Sequence, residues 1–207
     1  MNDQAASDKE QIVHKIGQKI DNGYDMLEED QITQACDIWW EAWKDIQKWL
    51  IPHFQTSSIL SFSDQISSDY SIYNWIQDFE MELENAGKED NRFNELRYVL
   101  AFGFRKFFPK SDPLILMNMG TAAAQSLFYL GRNEEGERLF KKLIVGDYDE
   151  NLRSWIYIRW GDIYADGTST MEVDTGKAKA LYEKAIDLID EDDRSAVEDR
   201  LKDLEMK

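Results

Sequence analysis

The sequence predicts an all-α fold, a right-handed α-α superhelix of about four helical hairpins closed by a C-terminal capping helix. Three observations predict it. A helix-turn-helix pattern occurs twice, once from Leu114 to Ile144 and again from Trp155 to Ile189. In both copies the second helix spaces a small residue, an aromatic and an apolar residue by four and then three: Gly136, Phe140, Leu143, and Ala178, Tyr182, Ala185. Gly and Pro are also scarce, and Pro52, Pro109 and Pro113 all fall at expected helix boundaries, which favours long helices over turn-rich strands. A self-similar period near forty residues is the mark of a stack in which each hairpin buries its apolar face on the next.

Taken in order, residues 1–8 read as a flexible arm, and 9–207 as a single helical repeat domain. A first helix is expected from Lys9 to Leu27, where Ile12, Val13, Ile16, Ile20, Tyr24 and Leu27 return every three or four residues, the period of an amphipathic helix. The second carries Ile32, Ala35, Trp39, Ala42, Trp43 and Ile46 on one face and ends before Pro52. Ala35, Trp39 and Ala42 repeat the triplet. Residues 52–71 break the rhythm, with seven Ser between Ser57 and Ser71. They read as an irregular connection with one short helix near 63–67, tacked on by Ile59, Leu60, Phe62 and Ile66.

Helices resume over Ser71–Asn85 and Glu89–Phe108, with Gly87 as the stop between them. Asp112 and Pro113 suit the start of the next helix, where no amide donor is needed. Leu130 to Asn133 form the turn of the third hairpin, with Asn133 as cap, and Gly146 stops it. The fourth has a longer turn, Asp166–Thr175. A last, acidic helix from Arg194 to Leu204 turns only Ala196, Val197, Leu201 and Leu204 inward, as a terminal cap requires.

The third and fourth hairpins resemble tetratricopeptide repeats. Ala124, Leu127, Gly131, Gly136, Phe140 and Leu143 stand at the signature places of one unit, and Trp160, Gly161, Tyr164, Ala178, Tyr182 and Ala185 at those of the next. The resemblance covers about 75 residues and weakens toward the N-terminus. It implies a non-catalytic protein–protein or peptide-binding scaffold whose first helices line a concave groove. The groove residues it points to are Asn118, Thr121, Gln125, Trp155, Arg159 and Asp162. One mode in the family clamps a C-terminal carboxylate with lysines and asparagines. Arg159 fits one such place, but Ala122 and Trp155 stand at others, so a different set of contacts is expected here.

The 207 residues carry a net charge of −17 and 13 % aromatic residues, seven of them Trp. That composition reads as a folded acidic protein and works against nucleic acid and anionic membrane. The acid is uneven: nine Lys or Arg against five Asp or Glu lie between Arg92 and Lys142. Arg92, Arg97, Arg105, Lys106, Arg132, Arg138, Lys141 and Lys142 are expected to disperse and pair with acids at helical spacing. No apolar run is long enough for a signal peptide or membrane span, and a lone Cys36 fits a reducing compartment; a cytoplasmic location is expected.

No catalytic, metal or cofactor site is expected. His14 and His53 have no ligand-spaced neighbours, Cys36 reads as a packing residue, and no phosphate-binding or nucleophile-elbow motif occurs. In the cluster Trp39-Trp40-Glu41-Ala42-Trp43, Trp39 and Trp43 belong to the core, while Trp40 points elsewhere and is a candidate interface anchor. Two further readings compete: a small acidic chaperone shielding an apolar client segment, and an enzyme on a helical scaffold, which would need converging titratable groups. A homodimer sealed by Trp40 is compatible with all three.

Overall fold

The computed structural model describes residues 2–52, 58–62 and 65–206. Among them the chain is all-helical, with packed neighbouring helices and no strand beyond one isolated bridge, Thr168 to Met171. No helix is long and apolar enough to cross a membrane among the described residues. The contacts fall into two compact units, Met1–Asp112 and Pro113–Lys207.

In the first unit, α1 (Asn2–Glu28) packs on α2 (Ile32–Asp45), α2 on α3 (Ile72–Gly87), and α3 on α4 (Arg92–Phe107). The helix α1 begins at Asn2, within the stretch expected as an arm. It ends with Asp30 in the left-handed region (φ 57°), where the amide of Gln31 donates to Met26 O at 2.8 Å. That bond satisfies a carbonyl the helix end would otherwise leave free. The end of α2 widens into a π-helical turn, Ile46–Leu50, in which the Ile51 amide reaches back five residues to Ile46 O.

Trp39, Trp43, Trp75, Phe79, Phe93 and Phe104 fill the interior of this unit. Gly23 is what lets α1 and α2 approach: a Cβ there would lie 2.0 Å from Trp39 Nε1. The same indole N–H donates to Ile20 O at 2.9 Å, so Trp39 is buried with its donor met.

The serine-rich connection is pinned rather than loose where it is described. Ile59 and Ile66 are buried, the Asp69 amide donates to Asp21 Oδ1, and the Ile59 amide donates to Ser111 Oγ. A single 3-10 turn spans Ile59–Phe62. The short helix expected over 63–67 lies partly outside the described residues, and residues 65–67 are not helical.

In the second unit, α5 (Pro113–Tyr129) packs on α6 (Asn133–Ile144) and on α7 (Glu150–Asp166), α7 on α8 (Thr175–Ile186), and α8 on α9 (Arg194–Glu205). Pro113 is the first residue of α5, as its missing donor allows. Covered by two neighbours, α5 is buried continuously from Met119 to Phe128; a helix apolar nearly all round needs that. Its end is a Schellman turn with Gly131 at φ 73°: the Arg132 amide bonds Leu127 O and the Gly131 amide bonds Phe128 O. Asn133 is the first helical residue of α6 and Arg132 occupies the cap position without a side-chain cap bond. Asp149 and Asp174 do cap their helices, accepting from the amides of Leu152 and Lys177.

Both triplets are buried in full: Gly136, Phe140, Leu143 and Ala178, Tyr182, Ala185. The small residues face large ones on the neighbouring helix. A Cβ on Gly136 would meet Phe128 at 2.5 Å, and one on Gly161 would meet Tyr182 at 2.4 Å. Helix pairs here are close because a ring fills the space that a missing side chain leaves.

Candidate functional site

The helices α5 and α7 lie against each other, and a polar pair joins them. Asn118 and Arg159, both half-buried, meet through a hydrogen bond from Arg159 Nη2 to Asn118 Oδ1 at 3.1 Å. The Arg159 Nε is buried with no hydrogen-bond partner. Elsewhere in the unit, Arg132, Arg138, Arg194 and Arg200 all sit on carboxylates. Arg153 bonds the Tyr148 carbonyl at 2.8 Å. Arg159 makes no ion pair with any described residue, so its charge is held in place by a neutral amide and left uncompensated. A partly desolvated guanidinium of this kind favours an anionic group.

The other expected groove residues are placed differently. Thr121 is fully buried, its hydroxyl donating to the α5 carbonyls of Met117 and Asn118, a back-bond available to Thr within a helix. Gln125 is 7 % exposed. Both positions are covered because α5 is packed on two sides.

Trp155 and Asp162 are half-buried and are engaged by the C-terminal segment. Trp155 Nε1 donates to Asp193 Oδ2 at 3.2 Å, and Asn151 Nδ2 donates to the same oxygen at 3.3 Å. Asp162 accepts two bonds from Arg200, at 2.7 and 3.2 Å, and a third from the Tyr182 hydroxyl at 2.7 Å. The fork of Arg200 suits a carboxylate, and its pKa is raised first by that hydrogen bond. The Tyr182 phenol is pushed well up by burial and then by the Asp162 charge. Asn151, Tyr182, Asp193 and Arg200 were not expected at this face. Their partners lie 20 to 42 residues away, and no local spacing announces such a pair.

Trp40 is half-buried beside the fully buried Trp39 and Trp43. The basic stretch is dispersed. Arg132 pairs with Glu135, Arg138 with Glu134 and Lys141 with Glu137 at helical spacing, while Arg92 reaches Asp37. Glu135 is correspondingly held below the usual carboxylate range by Arg132.

Among the described residues no group of three His, Cys, Asp or Glu is placed to hold a metal ion. His14 is exposed, and His53 lies outside the described residues. An open pocket of about 520 Å³ is lined by Tyr164, Met171, Asp174 and Lys177 among others. Within it Lys177 pairs with Asp174 at 3.6 Å and rests 4.7 Å above the Tyr164 ring, and Glu172 adds a further carboxylate to the lining.

Cys36 is fully buried, and its thiol is pushed up to about 12, first by burial and then by Glu82 and Asp37. An alkylating reagent should therefore spare it in the folded protein and label it once urea unfolds the first unit. The sign of the pH effect follows. An unfolded thiol ionises near 9 and the folded one near 12, so stability is intact below 9 and falls as pH rises between them. Tyr24, raised by burial and by its bond to Asp78, acts in the same direction. Urea midpoints that stay level across pH 9 would contradict this.

No family model, curated protein or solved structure matches this chain.

Proposed function

We propose that this protein is a non-catalytic binding scaffold built on tetratricopeptide-like helical repeats, which takes a peptide or protein partner on a concave face formed by the first helices of its hairpins. The uncompensated Arg159 carries the reading. A protein of net charge −17 that pairs its neighbouring arginines holds this one half-buried on Asn118. That arrangement suits capture of an acidic side chain or terminus arriving from outside. The adjacency of α5 and α7 supports it, since stacked first helices are what line such a groove. The pairings of Trp155 and Asp162 within the chain narrow the face to the Asn118–Arg159 neighbourhood.

The test is affinity capture from the native lysate with wild type beside Arg159→Glu, whose helix content is checked by circular dichroism. The expected result is a partner retained by the wild type and lost at least tenfold by the variant, as a reversed charge at a desolvated contact requires. Equal retention by both, or none by the wild type, overturns the proposal.

A further inference from the structure

The helix α4 carries two apolar sides. One, with Phe93, Leu100, Ala101 and Phe104, is buried in the first unit. The other is open: Val99 is 44 % exposed and Phe102 56 %. Tyr98 stacks on the Phe102 ring with centroids 5.9 Å apart, so the open side presents a continuous apolar surface. A helix apolar on both sides needs cover on both.

The open side ends in charge. Glu95, Val99, Phe102 and Lys106 follow one another at spacings of four, three and four, along one line of the helix. Glu95 and Lys106 are both exposed, and neither forms an ion pair with a described residue; Lys106 only rests 5.7 Å over the Phe107 ring. The stripe is thus acid, apolar, apolar, base, and it reads with inverted charge in the opposite direction.

We propose that this stripe is an interface for a second copy of this chain, with the two α4 helices antiparallel about a two-fold axis between Val99 and Phe102. In that arrangement Glu95 of each copy faces Lys106 of the other, and Val99 faces Phe102. A parallel pairing would set Glu95 on Glu95. The antiparallel one matches both charges and both apolar positions with a single operation, which is the self-complementarity an isologous contact needs. A single helix stripe buries less than a standard interface, so the dimer is weak and concentration-dependent.

Sedimentation velocity over two decades of protein concentration tests it, and the expected trace moves from monomer to dimer. Phe102→Asp should hold the protein monomeric with unchanged helix content, since the ring is not part of the core. Glu95→Lys should weaken association about tenfold by setting like charges together. Glu95→Lys combined with Lys106→Glu should restore it. That last variant separates interface from helix: it worsens the fit of both charges to the helix dipole, so recovery can come only from the re-matched pair. A monomer at every concentration, a dimer indifferent to Phe102→Asp, or a double variant no better than Glu95→Lys overturns the proposal.

Discussion

Arg97→Ala should lower the stability of the protein by about 3–5 kcal/mol. The Arg97 side chain has no solvent exposure, and it donates through Nε to Glu80 Oε1 at 2.6 Å and through Nη2 to Glu84. These carboxylates sit one helical turn apart on α3, so one guanidinium ties α4 to two successive turns of its neighbour. Removing it leaves Glu80, whose side chain is only 12 % exposed, as a charge that water cannot adequately solvate. The cost lies mainly in that stranded carboxylate. It follows that Arg97→Met with Glu80→Leu should recover most of the loss, because an apolar pair of similar volume carries no desolvation penalty. Urea denaturation of the two variants measures both effects. An Arg97→Ala midpoint within 1 kcal/mol of wild type, taking the slope as unchanged, would show that the ion pairs contribute little.

Phe140→Ala should cost a similar amount, about 3–5 kcal/mol. Phe140 is fully buried and lies parallel to Trp160 with centroids 5.3 Å apart, and it also meets Phe128 at 6.2 Å. Phe128 in turn occupies the space opposite Gly136. The ring therefore links α5, α6 and α7. Thermal unfolding followed by Trp fluorescence reads the loss, since Trp160 is the ring exposed by it. Phe140→Leu should lose markedly less, because it refills much of the volume.

The all-helical class and the buried side of several helices were legible because the signal is local. Period-3.6 apolar spacing placed Ile16, Ile20, Trp39 and Trp43 inside, and the small-aromatic-apolar triplets marked where helices come closest. The pairing of Arg132, Arg138 and Lys141 was legible for the same reason: three- and four-residue spacing on a helix is a geometric fact. Arg97 was not. In the sequence it is one cation in a basic run, and only packing of α4 on α3 brings it to Glu80 and Glu84, 17 and 13 residues earlier. Thr121 and Gln125 share the helix of Asn118, yet their burial depends on what covers α5. The engagement of Trp155 and Asp162 depends on where α9 docks, a long-range outcome that no spacing encodes.

That docking has a consequence for how the second unit opens. The helix α9 contributes one fully buried residue, Val197, whereas α5 is buried along most of its length. Its apolar hold is limited to Val197 and the partly buried Leu201 and Leu204, and polar bonds add to it, from Arg200 to Asp162 and, just before the helix, between Trp155 and Asp193. Fluctuations that free a segment without unfolding the whole begin where little apolar surface is lost. The amide protons of α9 should therefore exchange with solvent before those of α5. Each such opening frees the Trp155 indole from Asp193 and the Asp162 carboxylate from Arg200, leaving Asp162 on the Tyr182 hydroxyl. The partner face proposed above is on this account not fixed in extent: it is narrow while the terminal helix is seated and wider, and more acidic, for the fraction of time it is not.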